Sequence, residues 1–170
     1  MKKEMQIVGI NCLVKIESYE KIPAKIDTGA DSSAIWVSNL SLDEETGELS
    51  FSLFDEESPY YDGKKIKTNI YRFANVKSSM YQAELRFKVQ LNVVIKGRKI
   101  RAWFNLSNRS KNKFPILIGR RTLNGSFLVD CSINNFKKLT QPEKVNPNKE
   151  EIRSIINRFN NKSNNETTKG

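Results

Sequence analysis

A chain of 170 residues is long enough for one domain with a core and a tail, and too short for a two-lobed enzyme with a catalytic motif in each lobe. It has no histidine and two cysteines, Cys12 and Cys131, which excludes Ser-His and Cys-His nucleophilic sites, an H-E-x-x-H metal site, a Cys-only zinc site and a disulfide framework. The 29 basic residues outnumber 19 acidic ones, and the net charge of +10 predicts attraction to polyanions.

No apolar stretch of signal-peptide length follows Met1-Lys2-Lys3 and no segment approaches a membrane span, so a cytoplasmic location without membrane contact is expected. Alternating or apolar runs between turn signals predict strands over 6–18, 22–27, 33–37, 49–54, 64–73, 83–95, 99–105 and 114–118, a mainly β chain. Cys12 lies in the first run and Cys131 follows Val129-Asp130, and both are expected to be buried small side chains.

The second run places Ile22, Ala24 and Ile26 on one face and ends in Asp27-Thr28-Gly29-Ala30. Such a string can be a local surface turn, in which Asp and Gly are favoured for hydrogen bonding and positive φ. It also holds what an aspartic peptidase loop needs: a carboxylate on a tight turn, a hydroxyl to tie the loop down, and a glycine whose backbone can approach substrate. D-T-G occurs once. That chemistry uses two carboxylates sharing a proton, so a peptidase of this kind must take the second from a symmetry mate, as a homodimer.

Acidic residues from Asp43 to Glu57 are followed by a polar, turn-rich and aromatic interval, 55–80. Leu85, Phe87, Val89, Leu91 and Val93 alternate with polar residues, and Lys96-Gly97 turns the chain back toward Ile100, Ala102 and Phe104 in a hairpin. Basic residues gather between Lys64 and Arg121. They fit a solvated surface, a groove for acidic peptides or a nucleic-acid surface; no RNA-binding motif is present, so a nucleic-acid partner is not expected. Tyr60-Tyr61 and Tyr71 with Phe73 fit either a core or stacking platforms. If Arg98, Arg101, Lys113 and Arg121 border a cleft, acidic peptides should bind better at low salt.

Phe114-Pro115-Ile116-Leu117-Ile118-Gly119-Arg120 is a second apolar run ending at a glycine, and Ser126 to Asp130 is a further β-rich segment. Composition changes after residue 136. Residues 137–170 read as a Lys, Pro and Asn linker, a short helix with Ile152, Ile155, Ile156 and Phe159 on one face, and a polar tail, set off from a peptidase-like domain over 1–136. The apolar helix face fits docking on the β core or binding a partner.

Lys25 to Ala30 with Ser33-Ala34, then Leu117 to Arg121, Leu123, Gly125 and Phe127 to Asp130, resemble the single-domain retroviral-type aspartic proteases and, more closely, the bacterial RimB-type retropepsin-like proteins, which also carry the label of ATP-dependent zinc proteases. The resemblance spans about residues 6 to 135. It implies a single-domain retropepsin-like β-barrel, to which the sequence adds a short C-terminal helix. It further implies Asp27, Thr28 and Gly29 as catalytic residues, with Ala30, Asp31, Gly119 and Arg120 binding substrate or bracing the loop. Thr28 would lock two loops together, and Gly29 would offer backbone groups to substrate.

Asp31 departs from the bacterial pattern, which commonly has a basic residue there; as in the viral enzymes, it would pair with Arg120. Gly119 lies 92 positions after Asp27, a longer span than the viral enzymes use, and the resemblance puts a substrate-covering hairpin in this interval, with 55–80 the best candidates. Family members are associated with ATP-grasp ligases that add glutamates to proteins. The resemblance thus implies a peptide or protein substrate that is glutamate-rich or glutamate-tailed, and an ATP-grasp ligase as partner. The residues themselves support no metal and no cofactor: the zinc label finds no ligand set, and no P-loop motif is present. From another functional class, a non-catalytic basic dimeric binding module retaining the fold fits the same composition.

Overall fold

The computed structural model describes residues 4–77 and 83–137, so the linker, helix and tail expected after Lys137 lie outside the described residues. The chain runs through β1 (Gln6–Val8), β2 (Asn11–Ile16), β3 (Tyr19–Asp27), β4 (Ser33–Leu42), β5 (Leu49–Leu53), β6 (Lys65–Thr68), β7 (Tyr71–Lys77), β8 (Ala83–Ile95), β9 (Arg98–Ser107), β10 (Ile116–Gly119), the one-turn α1 (Arg120–Leu123) and β11 (Phe127–Val129). The protein is mainly β, as the periodicity predicts.

Strand order explains the closure. β10, β3, β2, β8, β9 and β4 are neighbours in that order, and β10 also pairs with β4, so these strands close into a barrel. Alternation supplies its interior: Ile22, Ala24 and Ile26 of β3, Val89, Leu91, Val93 and Ile95 of β8, and Ala102, Phe104 and Leu106 of β9 are all buried. Tyr19, Trp36 and Tyr60 pack around the buried ring of Phe54, with ring centroids 5.4 to 6.4 Å apart. Tyr60, Tyr61 and Tyr71 are thus packed against the core, whereas Phe73 is exposed and touches Tyr71 and Phe87.

The β8–β9 hairpin forms where Lys96-Gly97 predicts it. Both residues have positive φ, 48° and 77°, the backbone of a two-residue turn whose twist matches the strands it joins. Strand 6–18 is broken into β1 and β2 because the Gly9 backbone passes under Ile133; a Cβ at Gly9 would lie 2.4 Å from the Ile133 carbonyl oxygen. Strand 64–73 is likewise divided: β6 joins β5, and after a turn in which Ile70 N–H donates to Thr68 Oγ1, β7 joins β8.

β7 and β8 form the long hairpin of the interval between the two glycine-ended runs. β8 pairs with β9 only from Lys88 onward, and its first part, Ala83–Phe87, pairs with β7 alone. Residues 55–63 belong instead to a turn-rich loop between β5 and β6, in which Tyr19 Oη donates to Asp62.

Cys131 corrects one expectation: it is exposed, in the turn that follows β11, whereas Cys12 is buried on β2. Burial pushes the Cys12 thiol up to about 11, keeping it in the unreactive protonated form at neutral pH. A neutral thiol reagent at pH 8 should therefore modify one cysteine in the native protein and two in denaturant, with the native signal lost in Cys131→Ser. Rapid labelling of Cys12 in the native chain would contradict this packing.

Candidate active site

Asp27 is the last residue of β3, and β10 runs parallel to β3 with Gly119 in register with Asp27. Two strands with buried apolar faces therefore end side by side and release their loops at the same level. The Asp27 side chain is half-buried, and its Oδ1 accepts the Gly29 N–H at 3.1 Å. The Ala30 N–H donates back to the Asp27 carbonyl at 3.3 Å, making the segment a tight turn that presents exposed Thr28 and Gly29.

The second loop is packed directly onto the first. A Cβ at Gly119 would lie 2.5 Å from the Ser32 carbonyl carbon and 2.8 Å from the Ala30 carbonyl oxygen, so only glycine permits this approach without displacing backbone. Arg120 N–H donates to Ala30 O at 2.8 Å, and Arg121 N–H to Asp31 O at 3.2 Å. Buried Ser33 completes the junction: its Oγ accepts the Gly119 N–H at 3.1 Å and shares a 2.7 Å hydrogen bond with Thr122 Oγ1.

Asp31 Oδ1 lies 2.6 Å from Arg120 Nη2, with Arg121 Nη2 at 3.9 Å from the other oxygen. These side chains are more than half exposed, so the pair contributes less than about 1 kcal/mol to the stability of one chain. Thr28 lies beside Met5, Leu123 and Leu128, and its hydroxyl has no hydrogen-bond partner among the described residues.

Arg109 is a cation near Asp27 that the sequence marks by charge alone. Its Nε donates to Phe114 O at 3.2 Å; burial and the neighbouring Arg86 lower its guanidinium pKa, and attraction to Asp27 acts in the opposite sense. Thr122 was not singled out either, and its only signal is its position just after Gly119-Arg120-Arg121. Arg98 lies elsewhere: it donates to Ser126 O at 2.8 Å and Glu4 O at 2.6 Å across the Phe127 ring, joining the β1 and β11 ends. The described residues bring no three His, Cys, Asp or Glu side chains together as metal ligands.

The RimB-like family, described as retropepsin-like aspartic endopeptidase RimB, matches residues 7–140. The chain belongs to this family. It is also 28% identical over 117 residues to probable alpha-L-glutamate ligases of Shewanella pealeana and Shewanella halifaxensis, a match covering 65% of this chain and 25% of each relative. This chain thus corresponds to about a quarter of those ligases. A solved structure of a protein of unknown function from Legionella pneumophila superposes with a TM-score of 0.59, covering 77% of this chain and 97% of the other at 22% identity, a likeness of fold.

The buried junction should outweigh the exposed ion pair in stability. Ser33→Ala leaves the Gly119 N–H and the Thr122 hydroxyl without their partner, a loss of about 1–3 kcal/mol, whereas Arg120→Gln should cost less than about 1 kcal/mol. Urea denaturation of both variants tests this order, and a larger loss for Arg120→Gln would contradict it.

Proposed function

We propose that this RimB-like chain is a homodimeric aspartic peptidase that hydrolyses peptide bonds with a water activated between the Asp27 carboxylates of two copies. The observation that carries the reading is Asp27 itself: a half-buried carboxylate held by its own Gly29 N–H on a loop sewn to a second glycine loop. Asp31, four residues on, is committed to Arg120, which leaves the second catalytic carboxylate to another copy.

A surface for that copy adjoins Thr28. β1 and β11 form a two-stranded parallel sheet apart from the barrel, and Met5, Ile7 and Leu128 are 47%, 51% and 52% exposed. Exposed apolar side chains on a short sheet with unpaired edges favour association. With two Asp27 groups sharing one proton, the ionised one takes a proton from water as its oxygen adds to the scissile carbonyl carbon. The protonated one donates to the carbonyl oxygen. Collapse of the tetrahedral adduct breaks the C–N bond as the nitrogen is protonated, giving a carboxylic acid and an amine. In this reading the β7–β8 hairpin covers the bound peptide, since Ala83–Phe87 extends beyond the strands that pair with β9.

Acidic, glutamate-rich or glutamate-tailed proteins are the substrates this reading favours. The net charge of +10, the attraction between Arg109 and Asp27 and the likeness to part of proteins called glutamate ligases support it, with an ATP-grasp ligase as the proposed partner.

Asp27→Asn should lower kcat on an acidic peptide by about 10²–10⁴-fold or more while the dimer persists in sedimentation. Unchanged cleavage by the variant would remove the mechanism, and failure of the wild type to cleave any such peptide would favour a binding module on the same fold. Thr28→Val preserves shape but removes the hydroxyl; loss of one hydrogen bond to the other copy's loop in the proposed dimer should raise the dimer Kd about fivefold. An unaltered Kd would take the hydroxyl out of the interface.

A further inference from the structure

A second concentration of charge lies on the outer face of β7, β8 and β9. Lys88 is in register with Arg72 on one side and Asn105 on the other, and Gln90 and Asn92 are in register with Trp103 and Arg101. Arg72, Lys88, Arg101 and Trp103 of this face, with Ser32 from the Asp27 loop and Arg121 from α1, line a pocket of about 200 Å³. Four cationic side chains converge on it, and no carboxylate lines it.

Arg72 and Lys88 are held in place by partners that carry no negative charge. The Arg72 guanidinium lies 4.5 Å from the Trp103 ring centroid, which fixes its plane and leaves its N–H groups available. Lys88 is half-buried, and its Nζ donates to the Ser32 hydroxyl at 2.9 Å, a neutral partner. Burial, then Arg121 and Arg72, lower its ammonium pKa, while Asp31 acts in the opposite sense. Arg121 has only the 3.9 Å contact with Asp31, whose other oxygen serves Arg120. Among the described residues none of Arg72, Lys88 and Arg101 lies within ion-pair distance of a carboxylate. Like charges gathered around a partly desolvated lysine repel one another, and an anion between them would relieve that cost. Isolated surface cations would be screened by water, but a half-buried lysine facing two arginines is poorly screened.

We infer that the pocket bounded by Ser32, Arg72, Lys88, Arg101 and Arg121 binds an oxyanion, the carboxylate or phosphate group of an anionic ligand. Arginine presents paired N–H donors to either group, and Lys88 adds a point charge at the inner end. Ser32 is five residues beyond Asp27, which places the pocket beside the loop that carries the proposed catalytic group. That a substrate side chain supplies the anion rests on the peptidase reading; the pocket as an anion site does not.

Trp103 reports on the pocket directly, while Trp36 is buried in the core. The full chain, as wild type and as Asp27→Asn, is titrated with inorganic phosphate and separately with tetraglutamate at constant ionic strength, following tryptophan fluorescence and heat of binding. Saturable binding of at least one probe is expected in both proteins. Arg101→Gln and Arg72→Gln should each raise its Kd about tenfold, while the exposed control Lys21→Gln leaves it unchanged. Tighter binding of tetraglutamate identifies chain-borne carboxylates as the ligand, and tighter binding of phosphate identifies a phosphate group. Absence of saturable binding by both probes, or equal Kd values for Arg101→Gln, Arg72→Gln and Lys21→Gln, overturns the inference. Binding by Asp27→Asn supports the pocket even where the wild type cleaves nothing, and cleavage without pocket binding overturns the pocket while leaving the peptidase reading intact.

Discussion

The close approach of Gly119 to the Ala30–Ser33 backbone is the constraint on which the rest of the site depends. β3 and β10 can run parallel to their shared end only because no side chain stands between the loops they release. Once the backbones meet, Arg120 and Arg121 N–H groups reach the carbonyls of Ala30 and Asp31, and the Ser33 and Thr122 hydroxyls satisfy each other inside the junction. The Asp27 carboxylate therefore stands on a loop fixed from its own side by Gly29 and from behind by a second loop. A catalytic or binding group is most effective on a support of this kind, because little must reorganise when a ligand arrives.

Much of the barrel was legible because its signals are local. β8 could be read to both ends from alternation and the Lys96-Gly97 turn, and Asp27 announced a turn after a strand with Ile22, Ala24 and Ile26 on one face. What escaped the sequence depends on distant partners. The break at Gly9 arises from Ile133, and the separation of β6 from β7 arises because each belongs to a different neighbour. Ser33 and Thr122 meet across 89 positions, and Lys88 meets Ser32 across 56. No window of sequence contains both members of such a pair. Cys131 was misread for the opposite reason: its apolar neighbours in β11 suggested burial, but it stands exposed in the turn after that strand.

Charge is organised in distinct places around this scaffold rather than spread evenly. Asp31 and Arg120 form an exposed pair at the loop, Arg109 stands near Asp27 from the segment after β9, and the cations around Lys88 gather on the outer sheet face. Arg98 has a structural role, joining the chain ends near β1 and β11. Among the described residues some cations thus hold chain segments together and others gather around a pocket, a division that composition alone does not reveal.

The central claim is that one active site takes its two carboxylates from two chains, and subunit mixing tests it most directly. A fixed amount of wild type is unfolded and refolded with increasing Asp27→Asn, and hydrolysis of an acidic peptide is measured at each ratio. If both Asp27 groups are needed, mixed dimers are inactive, and random pairing at equal amounts lowers the wild-type rate to about half, falling further as the variant increases. A rate that stays constant while mixed dimers form would show that one chain carries a complete site, and would contradict the account.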